Sequence, residues 1–401
     1  MCLGLLLGFW GCAWVAVRRA GSAANDAAAA GGEKLVAIDG LLGVLALSVF
    51  VHHASCARNF FLHGRWEPMD AVFSQMGTYA VTLFFFITGF LFWTKLQRDP
   101  RPGLARHLRS RIRRLGPAYW ASVAVIVLLV AAVSHGRLQE SPVALAKHLG
   151  SWVLFTLPGL ININDVRDTW MFDAGVAWTL RLEWMFYLLI PFCGWFAGRA
   201  WRAGIFLAVL AGLHWLATRA VSVDAIPWVL RDLALQSALY LLLFFSGGIV
   251  AAAVRPWLRE RFSRIDFRRP VFSAAGVAAV AATIIFVEQP YGSPRETLAL
   301  FLPFLLIALG NDWFGFLTSR PALFLGKISY SVYLLHGIVL YLASRGLNKI
   351  FPVAEIPAAA YWVFIAALGV VVIAVAALWH RLFEAPFMRP PRDFAAAERS
   401  R

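Results

Sequence analysis

Two adjacent histidines, His52 and His53, close a long apolar run that reads LVAIDGLLGVLALSVFVHH. Ionisable side chains are costly in a bilayer, and they usually face a partner, a cavity or a substrate path. Histidine titrates near neutral pH, so it can take a proton from a hydroxyl nucleophile. His53 is therefore a candidate general base. The alternative is a pair of interfacial histidines that only anchors the end of the helix.

The same run carries an acidic residue, Asp39, near its start. In an α-helix, Leu42 and His53 share one face and lie roughly 16 Å apart along the axis, with Asp39 on nearly the same face. A stripe of this length that ends in a histidine suits a long, thin substrate. Asp39 and His52 are thus further candidates in this run.

Basic residues gather in RHLRSRIRRLGPAYW (106–120), just before another apolar run. Arg111 and Arg114 share one helical face there. The forked guanidinium group suits phosphate, so the pair could hold the anionic end of a cofactor. The alternative is a positively charged anchor that contacts anionic lipid.

Two charged residues enter the apolar stretch VAWTLRLEWMFYLLIPF (176–192). Arg181 and Glu183 point to different faces of a helix, so each needs its own partner. Glu183 and Tyr187 share a face because they are one turn apart. Glu183 either orients a histidine, or stabilises its cation, or forms half of a structural ion pair.

Two later stretches are read mainly as structural. KISYSVYLLHGIVL (327–340) places His336 near the middle of a span, with Tyr330 on a neighbouring turn. A single histidine among aromatic side chains favours a hydrogen-bonded packing residue. In RLFEAPFMRPPR, we predict that Pro386 stops the last helix and that Glu384 caps it.

Membrane helices are the elements that must position these residues. Of the 401 residues, 60% are hydrophobic and only 15% are charged, with a mean hydropathy of +0.68. Soluble domains carry about a quarter charged residues, and several apolar runs here reach the ~20 residues that cross a bilayer. No alternating strands of a membrane barrel are visible, and the scattered cysteines suggest neither a disulfide framework nor a metal site. The sequence predicts an all-α polytopic membrane protein.

About ten spans are expected, and the segment 149–161 is too short to cross easily, so we treat it as re-entrant or interfacial. The spans are predicted at about 35–53, 77–95, 115–134, 178–197, 203–219, 233–254, 271–287, 297–315, 328–344 and 358–380.

The basic residues fix the predicted orientation. With both ends of the core in the cytoplasm, inside segments hold 26 Lys and Arg residues and outside loops hold ten, as the positive-inside rule requires. The net charge of +15 is explained by this pattern, so we expect membrane lipid and no nucleic acid as a partner. The Ala- and Arg-rich composition suggests a GC-rich bacterium, and hence its cytoplasmic membrane.

The predicted organisation has three parts. Residues 1–33 form an N-terminal extension, with a short apolar segment and an Ala/Gly-rich linker. We interpret this extension either as a short anchor or as an upstream extension from a misassigned start codon. Residues 34–390 form the membrane domain, and residues 391–401 form a cytoplasmic tail.

Taken in order, IDGLLGVLALSVFVHHA, FFFITGF, RIRRLGPAYW, AWTLRLEWMFYLLIP, ISYSVYLLH and FEAP resemble the acyltransferase 3 family over about residues 34–390. The resemblance implies a ten-span membrane enzyme that moves an acyl group onto a hydroxyl of a surface glycan or lipid-linked saccharide. The acyl group is usually acetyl from acetyl-CoA, and other acyl-CoA donors remain open. No metal is implied.

The resemblance also implies residue roles. His53 matches the family histidine and would act as general base, with Asp39 or Glu183 orienting or charge-balancing its ring. Arg111 and Arg114 match the family Arg-x-x-Arg element and would hold the CoA phosphates. The acidic position is intact at Glu183, and hydroxyl groups at Thr179 and Thr88 replace the family's usual serines.

One position departs from the family pattern. The basic residue expected eleven positions before His53 is Leu42 here. Lys34, Arg111 or Arg181 would have to compensate if that base grips the cofactor. Otherwise the donor differs or the enzyme is weakened.

Two other functions stay open. A transporter or flippase of a lipid-linked sugar would show inverted repeats, and none is visible by eye. A non-catalytic relative that binds a glycan or a partner is made plausible by Leu42.

Trp66 and Trp170 could supply aromatic platforms for sugar rings, or they could anchor the protein at the membrane interface. Gly89, in FFFITGF, is expected to allow close helix packing.

Overall fold

A computed structural model describes residues 35–220, 228–286 and 294–388. Of these described residues, 80% are helical and none lies in a strand. This confirms the predicted all-α class. Residues 1–33, Lys34 and the tail 391–401 lie outside the described residues, so the predictions on them stay predictions.

Eleven helices of twelve residues or more are described in these ranges, and each of the ten predicted spans overlaps one of them. They are α1 (Val36–His63), α2 (Ala71–Arg98), α3 (Leu104–Val133), α4 (Pro142–Val153), α5 (Ala177–Leu189), α6 (Ala200–Ala220), α7 (Trp228–Arg261), α8 (Pro270–Phe286), α9 (Pro294–Ala308), α10 (Arg320–Ile350) and α11 (Ala358–Trp379).

Five helical segments among the described residues are long and apolar enough to cross a membrane. They are α1, α2, α3, α10 and α11, the last counted together with the turns that follow it to Met388. The number of ten spans stays a prediction. The segment 149–161 holds the end of α4 and then turns and irregular chain, which fits a stretch too short to span.

The helices near the candidate histidines begin and end as local chemistry dictates. Gly64 adopts a left-handed conformation with φ of 73° and ends α1, as glycine does without steric cost. Asp70 accepts a hydrogen bond from the backbone N–H of Phe73 and so caps α2. A short turn between these two residues therefore holds the ends of α1 and α2 together.

The predicted fourth span, 178–197, is a broken helix. After α5, a short 3-10 turn covers Ile190–Phe192 and a single helical turn covers Gly194–Ala197. Pro191 lies in the 3-10 turn, and a proline cannot donate the backbone hydrogen bond that would continue α5.

The described contacts divide the chain into two compact units. The first contains the residues up to Pro102 together with Leu182–Lys327. Its core is aromatic: Phe245 stacks on Phe186 with ring centroids 4.1 Å apart, and Phe85 lies 4.9 Å from Phe244. A Cβ at Gly89 would lie 2.7 Å from the carbonyl oxygen of Phe245, which confirms that Gly89 allows α2 to pack closely on α7.

The second unit contains Gly103–Arg181 and the residues from Ile328 onward. Here two aromatic side chains of α3 donate hydrogen bonds to the backbone at the end of α4. Tyr119 donates its hydroxyl proton to the carbonyl of Trp152 at 2.7 Å, and Trp120 donates its indole N–H to the carbonyl of Val153 at 2.9 Å. These bonds tie the end of α4 to a long helix.

The prediction that Pro386 stops the last helix is wrong. A π-helical turn, His380–Glu384, follows α11, and a further helical turn covers Ala385–Met388. Pro386 is the second residue of that last turn. The helical chain from Ala358 thus runs past Pro386 to Met388, through a π-helical turn, which interrupts the regular i→i−4 hydrogen bonds of an α-helix.

Candidate active site

His53 lies in the last third of α1, with a half-buried imidazole. Its ring stacks near the indole of Trp66, with centroids 6.2 Å apart and an interplanar angle of 29°. The ring of His52 is 4.9 Å away. The structure thus places an aromatic surface, the indole of Trp66, beside the partly accessible imidazole of His53.

His52 is buried and bonded to the neighbouring helix. Its Nδ1 lies 2.8 Å from the carbonyl oxygen of Phe73, and a carbonyl can only accept, so Nδ1 carries the proton. Nε2 lies 3.7 Å from Sγ of Cys56. A Cβ at Gly77 would come within 2.6 Å of the ring. His52 therefore packs between α1 and α2 as a structural residue.

Glu183 lies on α5 and accepts two hydroxyl donors. Thr88 donates to Oε1 at 3.2 Å and Tyr187 donates to Oε2 at 3.2 Å. The expected pairing of Glu183 with Tyr187 on one helical face is thus present. Thr88, the residue that replaces the family serine, reaches the same carboxylate from α2.

Asp39 lies in the first turn of α1, half-buried. The helix runs without a break from Val36 to His63, so Asp39 and His53 are separated by roughly 21 Å along its axis. Direct contact between the carboxylate and the imidazole is therefore ruled out by the helix itself. An effect of Asp39 on His53 through charge alone stays a prediction.

The basic candidates lie on α3 and α5. Arg111 is half-buried and Arg114 is exposed, both on the first half of α3. One guanidinium nitrogen of Arg111 lies 3.4 Å from the Ser110 hydroxyl. Arg181 is half-buried on α5. Binding of CoA by these residues stays a prediction.

His336 and Tyr330 are structural in this fold. His336 is fully buried, and its Nδ1 lies 3.0 Å from the carbonyl oxygen of Val332, one turn earlier on α10. Tyr330 donates its hydroxyl proton to the carbonyl of Leu115 at 3.1 Å and so links α10 to α3. Both positions fit the packing interpretation better than a catalytic one.

Glu384, which we predicted as a cap of the last helix, is buried, and so is Glu296, which we did not predict as a candidate. Glu384 accepts a short hydrogen bond from Ser331 and also lies 3.0 Å from Nδ1 of His380. Glu296, fully buried at the start of α9, accepts a hydrogen bond from Thr82 at 2.6 Å. Their acidic side chains in apolar stretches were the available signal. Ser331 and Thr82 come from distant parts of the chain, so no local pattern predicts them as partners. His380 lies one helical turn before Glu384, a spacing that does predict their contact.

Asp173 is a third buried carboxyl, at the end of a 3-10 turn (Thr169–Asp173) between α4 and α5. Burial raises the pKa of Asp173 to about 7, because the charged form loses its hydration. The backbone N–H of Gly175 donates to its Oδ1 at 2.9 Å and opposes that shift.

The fold defines an α-helical membrane protein with a half-buried histidine, His53, within its first long helix. The chain matches the family model described as an acyltransferase domain over residues 35–380. It belongs to this acyltransferase 3 family, which confirms the resemblance, and it is a membrane acyltransferase in general terms. No curated protein and no solved structure matches it.

Proposed function

We propose that this protein is an O-acyltransferase that moves an acetyl group from acetyl-CoA to a hydroxyl of a cell-surface glycan or its lipid-linked precursor. The observation that carries the proposal is the environment of His53. Its ring is half-buried beside Trp66, whereas His52 and His336 are buried with Nδ1 directed at backbone carbonyls. A general base must be reachable by its substrate.

The proposed reaction uses one proton carrier. The imidazole of His53 takes the proton of the acceptor hydroxyl while that oxygen attacks the thioester carbonyl. The tetrahedral intermediate then expels the CoA sulfur, which receives the proton from the imidazolium. The products are the O-acetyl ester and free CoA, and His53 returns to its neutral form.

Supporting roles follow from charge. Glu183 keeps a carboxylate within the apolar interior of the first unit, held by the hydroxyls of Thr88 and Tyr187. Its negative charge favours the imidazolium that forms during the reaction. We assign Arg111 and Arg114 to the CoA phosphates, because guanidinium groups form forked bonds with phosphate. Both residues lie on a segment that we place in the cytoplasm of a bacterial cell.

A non-catalytic relative is the second candidate, and Leu42 favours it. Leu42 is half-buried on α1, where the family has a basic residue. An apolar side chain there cannot pair with a phosphate or a thioester oxygen. The protein would then retain glycan binding and lose transfer.

Leu42→Arg separates these candidates. In membranes that contain purified surface glycan and radiolabelled acetyl-CoA, we expect the wild type to incorporate label and Leu42→Arg to incorporate about tenfold more at low acetyl-CoA, because one added ion pair to phosphate is worth roughly 1.5–3 kcal/mol. Leu47→Arg, a buried position on the same helix, controls for a charge placed elsewhere on α1.

Label in Leu42→Arg but not in the wild type would identify a lapsed enzyme. Absence of label in both, with acetyl-CoA and then with longer acyl-CoA donors, would reject the acyltransferase proposal for this acceptor.

Glu183→Gln tests the charge-balancing role. We expect transfer to fall by about 10- to 100-fold, because the amide keeps the shape but removes the charge and one of the two acceptor oxygens. Tyr187→Phe is the matched control, since it removes one hydroxyl donor and leaves the carboxylate. Initial rates per folded protein check this, with thermal unfolding of each variant measured alongside. Equal rates for Glu183→Gln and wild type would make the carboxylate a structural group.

A further inference from the structure

A polar cavity lies in the second unit, within the chain that connects α3 to α5. Its volume is about 440 Å³, within the range of small-molecule sites. Its lining combines carboxylates, an amide, a histidine and an indole with a few apolar side chains: Glu140, His148, Leu160, Ile161, Asn162, Asp165, Asp168 and Trp170.

The walls of this cavity are held by hydrogen bonds. Glu140 accepts the backbone N–H of Asn164 at 2.7 Å, and its other oxygen lies 2.8 Å from Nδ1 of His148 on α4. Asn162 accepts the backbone N–H of Thr169 at 3.2 Å. Because these side chains are already positioned, a ligand would not need to order them on binding.

Trp170 supplies the aromatic surface of the cavity. Its indole N–H donates to Oδ1 of Asp168 at 3.1 Å, which fixes the ring beside a carboxylate. A sugar ring has an apolar face of C–H groups and an equatorial rim of hydroxyl donors. An indole flanked by carboxylate acceptors matches both features.

The charge of the lining restricts the ligand further. Three carboxylates face one histidine, and no lysine or arginine lines the cavity. A carboxylated sugar would meet like charges there, which costs binding energy. Within the described ranges, no group of three or more His, Cys, Asp or Glu side chains could hold a metal ion, so a ligand rich in hydrogen-bond donors fits better than a cation.

We propose that this cavity binds a saccharide unit without negative charge, either neutral or carrying an amine. Trp170 stacks on the sugar ring, and Asp165 and Asp168 accept hydrogen bonds from its hydroxyl or amino groups. The inference rests on the proposed function in naming this saccharide as part of the acceptor. It narrows the acceptor to glycans that present a non-acidic residue.

Binding in the absence of any acyl donor tests the cavity. The full-length protein in lipid nanodiscs is titrated with chitotetraose, maltotetraose, a glucosamine tetramer and tetragalacturonate, with saturation-transfer NMR and calorimetry as readouts. We expect saturable binding of a neutral or amino tetramer, and binding of tetragalacturonate at least about tenfold weaker.

Variants locate that binding. Trp170→Ala should lower the affinity for the bound neutral or amino tetramer by about tenfold or more, since it removes the stacking surface. Trp257→Ala, an exposed tryptophan outside the cavity, should leave the affinity unchanged. Asp165→Asn should weaken the glucosamine tetramer and strengthen tetragalacturonate. Circular dichroism and the thermal midpoint of each variant confirm that it is folded.

Three outcomes would overturn the inference: no saturable binding of any neutral or amino tetramer, unchanged binding in folded Trp170→Ala, or tetragalacturonate bound as tightly as the others. Failure of the proposed function is distinguishable. Saccharide binding without acetyl transfer would reject the acetyltransferase proposal and support the saccharide site. Acetyl transfer at the same rate in Trp170→Ala and wild type would support the acetyltransferase and reject the saccharide site.

Discussion

His53→Ala lowers acyl transfer by about 10²- to 10⁴-fold, the usual contribution of a general base. The expected loss is in the chemical step, because the acceptor hydroxyl then has no proton acceptor at neutral pH. The half-buried position of His53 predicts only a small effect on folding. Initial rates with labelled acetyl-CoA, normalised to folded protein, measure the loss.

The same helix provides the matched control. His63 ends α1 and is exposed, so His63→Ala should transfer acetyl at the wild-type rate. His52→Asn makes a different contrast, because His52 is buried and bonded to Phe73. We expect it to lower the yield of folded protein more than the rate of what folds.

If His53→Ala transfers acetyl at a rate within about threefold of wild type, His53 is not the general base. If His52→Asn lost the rate while remaining folded, the assignment within the pair would be reversed. A loss in both variants with normal folding would indicate that the two rings act together.

Local patterns predicted the placement of residues on helices. The apolar run before His53 predicted α1. The four-residue spacing between Glu183 and Tyr187 predicted that these two side chains meet. Such inferences need only the helical repeat. The membrane class followed from composition alone, because few other environments tolerate so apolar a chain.

Contacts between distant segments could not be predicted. Thr88 meets Glu183 across nearly a hundred residues, and nothing in either segment specifies that partner. The cavity around Trp170 brings together α4, a 3-10 turn and irregular chain, and no periodic pattern predicts that these segments meet. Pro386 was misjudged because a π-helical turn precedes it, and that turn has no sequence signal strong enough to be used.

Glycines in the first unit allow α1 to pack closely against the chain around the start of α10. A Cβ at Gly326 would overlap the carbonyl oxygen of Asp39, and a Cβ at Gly40 would overlap the carbonyl oxygen of Leu317. Small residues allow membrane helices to pack with backbones in contact. Because the opposing atoms belong to the backbone, neither can move aside without shifting a helix.

Gly326→Ala is therefore expected to destabilise the protein by about 3 kcal/mol, at the upper end of the cost of overpacking a core. Gly204→Ala is the matched control: Gly204 lies on α6 with open space around its Cα, and alanine there favours the helix by up to about 1 kcal/mol. Thermal midpoints from size-exclusion chromatography of heated samples measure both. The wild type should lie between the two variants. Equal midpoints for Gly326→Ala and wild type would mean that α1 and α10 separate at this crossing, and the close contact of Asp39 with α10 would then be wrong.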